Sequence, residues 1–296
     1  MDQAIIDNIV KECIAKWGRD SRTERFEELV NLWLDKVHDG DKNIYLKLLK
    51  NFRYYSKKNE NDYASFIINN IIKVDKDIEE TIVIPLLKPE EGMSGAYKIL
   101  RSIQVVGGLR AEVCPINLLN FEQKYDIDLI KNIIIVDDIS GTGRTLEKSL
   151  KYMKESYPSF FHNKMVYVSC LVISEVAKSH IQLIKDIHFW QYDITKKAFD
   201  NGHIFSENEV ESTKDKIKIY EKMLSTQKDE SDIFGFENSE LLIAFSDDTP
   251  NNTLLSFWKE NNGWKPIFPR ARRRQKPGWA KSNKTNIKLN ISMMQN

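Results

Sequence analysis

Residues 133–145 read IIIVDDISGTGRT, and this stretch decides the fold. Four apolar, β-branched residues make a strand buried on both faces, the mark of a parallel sheet. Two carboxylates, Asp137 and Asp138, follow at its carboxyl end, where open α/β sheets bind their ligands. The loop Ser140-Gly141-Thr142-Gly143-Arg144-Thr145 then leads into a helix. Its glycines let the chain turn tightly, its amides and the Ser140, Thr142 and Thr145 hydroxyls converge, and the helix adds its positive end. The result is a cradle for an anion, and phosphate fits it. A carboxylate pair would repel bare phosphate but can accept the two hydroxyls of a ribose cis-diol, or hold a magnesium ion through its waters. The stretch therefore describes a ribose 5-phosphate reader. A P-loop would need GxxxxGK[ST], and a dinucleotide fingerprint a third glycine; neither is present.

Outward from this stretch, short apolar runs at 81–87 (TIVIPLL), 111–116 (AEVCPI), 165–173 (MVYVSCLVI), 187–191 (IHFWQ) and 241–245 (LLIAF) read as further strands. Helical patterns lie between most of them, at 145–156 and 175–184, and a charged helical stretch spans 207–228. The fold class expected is α/β, a parallel sheet with flanking helices. Residues 1–75 repeat apolar side chains at helical spacing and read as an N-terminal helical cap. The division expected is 1–75 helical region, 76–230 α/β core, 231–270 C-terminal extension completing the core, and 271–296 basic tail.

Composition sets the outer bounds. Of 296 residues 41% are apolar and 29% charged, which suits a globular protein, and no apolar run approaches a membrane span, so a cytoplasmic protein without membrane contact is expected. Cys13, Cys114 and Cys170 are odd in number and far apart, and read as free buried thiols; the five histidines show no zinc spacing. From Arg270 onward there are eight Lys/Arg and no acid, against a net acidic remainder. Arg270, Arg272, Arg273, Arg274 and Lys276 interleave with Trp279 in the manner of a nucleic-acid contact; a merely solubilising tail is the equal alternative.

Residues 136–145 resemble the signature with which type I phosphoribosyltransferases bind phosphoribosyl pyrophosphate (PRPP). The resemblance implies that Asp137 and Asp138 bind the ribose hydroxyls, carry the chemistry and hold Mg2+ through water, while Ser140 to Thr145 bind the 5-phosphate. It also implies a diphosphate loop after an earlier strand; here Lys88, Ser94 and Gly95 stand in that order, with Ser94 able to cap the following helix, although a plain strand-to-helix loop explains them equally. In purine-salvage members the position of Gly141 often carries an acid near the base, and the glycine argues against purine salvage. The segment 117–131, where a catalytic lid would fall, is short and apolar-rich.

The C-terminal stretch 234–270, with NTL, FW and WKPIFPR, is similar to a bacterial PRTase-like subgroup with a C-terminal extension, PRTase-CE. Asp247, Asp248 and Asn252 lie beyond a strand end and are candidates for the base side. Trp258, Trp264 and Phe268 read as base-stacking rings or, preferably, a packed aromatic cluster. The subgroup's members are predicted toxic effectors of anti-phage operons, including retrons with a reverse transcriptase, its DNA/RNA and a small DNA-binding protein. The resemblance thus implies an enzyme binding PRPP or a nucleotide-like ligand with Mg2+. The other reading is an inactive module that senses a nucleotide or docks a nucleic-acid complex. A homo-oligomer is left open.

Overall fold

The computed structural model describes residues 2–89, 94–225 and 232–270. Three helices come first, α1 (Gln3–Trp17), α2 (Phe26–Leu34) and α3 (Lys42–Lys50), then a short strand β1 (Arg53–Tyr55) and the long helix α4 (Lys57–Val74). The central part runs β2 (Thr81–Pro85), α5 (Gly95–Gly107), α6 (Phe121–Lys124), β3 (Asn132–Ser140), α7 (Arg144–Ser156), α8 (Pro158–Phe161), β4 (Met165–Ser174), α9 (Glu175–Ile181), β5 (His188–Phe189) and β6 (Asp193–Thr195). Helix α10 (Glu207–Leu224), β7 (Ile243–Phe245) and α11 (Leu255–Trp258) complete the described chain.

The main sheet is parallel throughout, in the order β2, β3, β4, with β5 and β6 following one another along the outer edge of β4. Alternation places Ile82, Ile84, Ile133 and Ile135 on one face, under Leu146, Leu150 and Met153 of α7. Val83, Ile134 and Val136 face the other way, against Tyr63 and Ile67 of α4 and Ile99 and Ile103 of α5. Both faces are covered, as the unbroken apolar run of β3 requires. Each fully buried isoleucine contributes about 2 kcal/mol relative to an exposed one. A third apolar cluster joins the N-terminal helices to the C-terminal residues, with Trp33, Tyr45, Phe257, Trp264 and Phe268 within it.

Two expectations from sequence are corrected. Residues 111–116 form turns, with Val113 and Cys114 donating back to Arg110 and Ala111; only the Val113 carbonyl joins β2, accepting from Val83 at 2.8 Å. Pro115 has no amide to donate, and the run is too short to pair on its own. Residues 1–75 are not wholly helical, because β1 pairs in parallel with β7, Arg53 opposite Ile243 and Tyr55 opposite Phe245. The strand read at 241–245 thus pairs with the N-terminal region and lies outside the main sheet. All three cysteines are buried and free. Burial pushes the Cys13 and Cys114 thiols up to about 12. Among the described residues no helix is long and apolar enough to cross a membrane.

Candidate functional site

A cleft of about 1520 Å3 opens at the carboxyl ends of the parallel strands. Asp137, Asp138 and Ser140 enter it from the last four residues of β3, Gly141, Thr142 and Gly143 from the loop that follows, and Thr145 from the first turn of α7. Lys88, Ser94 and Gly95 border it from the loop after β2, and Asp247, Asp248 and Asn252 from the turn after β7. Segments 160 residues apart in sequence thus meet at one place.

The cradle is shaped by close approaches. Gly143 has φ +80°, and a β-carbon there would stand 2.9 Å from His180 Cβ. The left-handed backbone and the neighbour each favour glycine. Gly143 heads α7 and has no side chain to cap it, and among the described residues no side-chain bond takes up the first-turn amides. The Ser174 hydroxyl, at the start of α9, donates to the Gly141 carbonyl and ties the loop to the end of β4. Arg144 stands apart from the cleft: it is exposed and its guanidinium turns to Glu237 at 3.4 Å, because the first residue of α7 points outward where the second and third point in.

The two aspartates differ. Asp137 is 5% exposed, and its Oδ1 accepts from the Asp138 amide at 2.9 Å. Burial first, then the neighbouring Asp138 carboxylate, holds Asp137 well above the usual carboxylate range, with Lys88 opposing the shift. Asp138 is half-buried and lies against the start of α5: the place of a β-carbon on Gly95 is 1.7 Å from its Oδ2. A carboxylate there meets the positive end of a helix. Ser94 occupies the N-cap position, but its hydroxyl makes no cap bond and is buried without a partner among the described residues. No group of three or more His, Cys, Asp or Glu is placed to hold a metal among the described residues. Two carboxylates remain, hard oxygen donors short of a closed set, and this fits Mg2+ shared with a phosphate-bearing substrate.

The opposite wall comes from the C-terminal residues and contains groups that sequence reasoning passed over. Lys98 extends from α5 to Asp247 at 2.5 Å and Glu60 at 3.5 Å, over the Phe245 ring at 4.3 Å. A lysine in the first turn of a helix opposes the macrodipole, and that misplacement was its signal. Arg22, in the turn before α2, donates to the Phe245 and Pro269 carbonyls and to the Thr249 hydroxyl, and so fixes the turn that bears Asp247 and Asp248. Nothing in sequence connects residue 22 to residue 249. Arg270, grouped by sequence with the basic tail, belongs to this wall, 3.8 Å from Asp248 Oδ2 and over the Trp258 ring. Arg272, Arg273, Arg274 and Lys276 lie outside the described residues. The three aromatics separate: Trp264 and Phe268 are core, at 1% and 0% exposure, whereas Trp258 borders the cleft, and Phe236 borders it with over a third of its surface open.

Compared with known proteins, residues 30–270 match the family model PRTase-CE. Among solved structures, a Helicobacter pylori xanthine-guanine-hypoxanthine phosphoribosyltransferase matches with 21% identity over 49% of this chain and 89% of that one, at a TM-score of 0.30. No curated protein matches.

Proposed function

The chain belongs to the PRTase-CE family, and from that premise we propose that its cleft binds PRPP or a related ribosyl phosphate and supports transfer or cleavage at the anomeric carbon. One observation carries the reading. An uncapped helix N-terminus and its glycine loop stand directly beside an aspartate pair at a strand end, inside one cleft. The amides of the loop and of α7 hold the 5-phosphate, and Asp137 and Asp138 accept from the ribose hydroxyls. Asp137 and Asp138 are also the residues that would hold Mg2+ through its waters, and the ion would neutralise charge on a departing diphosphate. Lys88 stands where it counters charge on the same side. Catalysis on this reading is electrostatic, by groups already in place around a developing oxocarbenium-like centre.

The biological role that fits this family is that of a toxic effector in an anti-phage, retron-like system, with a reverse transcriptase and its nucleic acid as partners. A second reading, ligand sensing without turnover, is favoured by one observation: residues 117–131 are anchored by buried Leu118 and Phe121 where a lid would move. PRPP consumption with diphosphate release separates the two. The enzyme reading expects release by the wild type, lost in the Asp137→Asn, Asp138→Asn double variant. Release that is absent from the wild type, or unaltered in the variant, would exclude it.

A further inference from the structure

We propose that Asn252 determines which group the cleft accepts on the anomeric carbon, by presenting an acceptor oxygen that selects a base bearing an exocyclic amine. The inference rests on the phosphoribosyl reading and extends it to the base.

The Asn252 carboxamide stands where a side chain on residue 141 would be: a β-carbon on Gly141 would lie 2.2 Å from its Nδ2 and 3.5 Å from its Oδ1. The C-terminal residues thus supply, from across the cleft, the side chain that the cradle loop lacks. Its backbone is fixed, since the Asn252 carbonyl accepts from the Leu241 amide at 3.1 Å and from the Ser239 hydroxyl at 3.0 Å. The single proton of Ser239 is spent on that carbonyl, so toward the carboxamide its oxygen can only accept. Asn252 Nδ2 donates to it at 3.2 Å, and this sets which way the amide faces. Oδ1 is left without a partner among the described residues, on a side chain that borders the cleft.

On the same wall Asp247 is engaged by Lys98 and Asp248 lies beside Arg270, so the recognition falls to Asn252 Oδ1, whose complement is a donor. An amine on a nucleobase satisfies Oδ1; a keto oxygen there opposes acceptor to acceptor, and a ring lacking the amine leaves Oδ1 desolvated and unpaired. Phe236 gives a planar base an apolar surface in the same cleft.

Titration calorimetry on the full chain tests this, with ribose 5-phosphate as reference. The ligand pairs are adenosine against purine riboside 5-monophosphate, and cytidine against uridine 5-monophosphate. The wild type should bind the amine-bearing member of at least one pair about five-fold more tightly, the worth of one hydrogen bond. Asn252→Ala should reduce that preference to less than about two-fold. Ser239→Ala frees the carboxamide to turn and should narrow the preference without affecting ribose 5-phosphate, which tests the idea even if the first variant folds poorly. Wild-type indifference within both pairs would overturn the proposal, as would equal weakening of every ligand in both variants. Failure of the wild type to bind ribose 5-phosphate would instead overturn the phosphoribosyl reading, and the inference with it.

Discussion

Gly95→Ala should cost the protein its ligand while leaving its fold almost as stable as before. The new β-carbon would stand 1.7 Å from Asp138 Oδ2, 2.3 Å from Cγ and 2.8 Å from Oδ1, so the carboxylate must leave its place. Asp138 is half-buried on the cleft and has room to rotate, at about 0.5–1.5 kcal/mol for the poorer rotamer. Leaving the start of α5 forfeits roughly 0.3–1 kcal/mol of interaction with the helix dipole. Alanine in place of glycine returns up to about 1 kcal/mol of helix propensity. These contributions nearly cancel, and the melting transition should move by only a few degrees. Binding behaves differently: hydrogen bonds to a charged group are worth about 1.5–3 kcal/mol, so a displaced Asp138 should weaken ribose 5-phosphate by roughly 10- to 100-fold. Calorimetry beside a thermal melt reads both quantities. Unaltered affinity in the variant would refute the placing of Asp138 on the ligand. A loss of stability above about 2 kcal/mol would refute the local origin of the effect.

Gly143→Ala combines a left-handed backbone with a contact on His180, and should lower stability by about 1–3 kcal/mol in a denaturant titration; a neutral result would mean that the loop into α7 adapts freely. Arg22→Ala removes three donated bonds that join the turn after β7 to Pro269, and should cost about 2–4 kcal/mol and loosen the base-side wall, visible as faster amide exchange at residues 245–249. Glu221 is buried, accepts from the Ser256 amide, and is raised by burial from 4.5 to about 7. Its folded pKa exceeds the unfolded one, so this contribution to stability is complete below pH 4.5 and is lost as pH rises through about 7. Glu221→Gln should therefore be more stable than wild type at pH 8, by up to about 3 kcal/mol, and the gain should vanish near pH 4; equal stability at both pH values would show that Glu221 is not held protonated.

The cradle was legible because its chemistry is local. Apolar strand, acid pair, glycines and hydroxyls lie within 13 consecutive residues, and strand alternation with helical spacing identifies the α/β core around them. What escaped depends on distant partners. The pairing of β1 with β7 joins residue 53 to residue 243, and three residues of strand carry no periodicity to detect. The turn at 111–116 has the composition of a strand, but Pro115 and the bonds back to residues 110 and 111 override it. Arg270 reads as part of a basic run until Asp248 and Trp258 are seen beside it. Gly141 reads as a position lacking a side chain, whereas in three dimensions Asn252 fills it.

The central claim is that residues 140–145 and the aspartate pair together read a ribosyl phosphate, and a crystal structure of the protein with ribose 5-phosphate tests it most directly. The account predicts the phosphate against the amides of the loop and the start of α7, with the ribose hydroxyls turned to Asp137 and Asp138. A phosphate bound instead beside Lys259 and Arg270, with the aspartates free of the sugar, would contradict it.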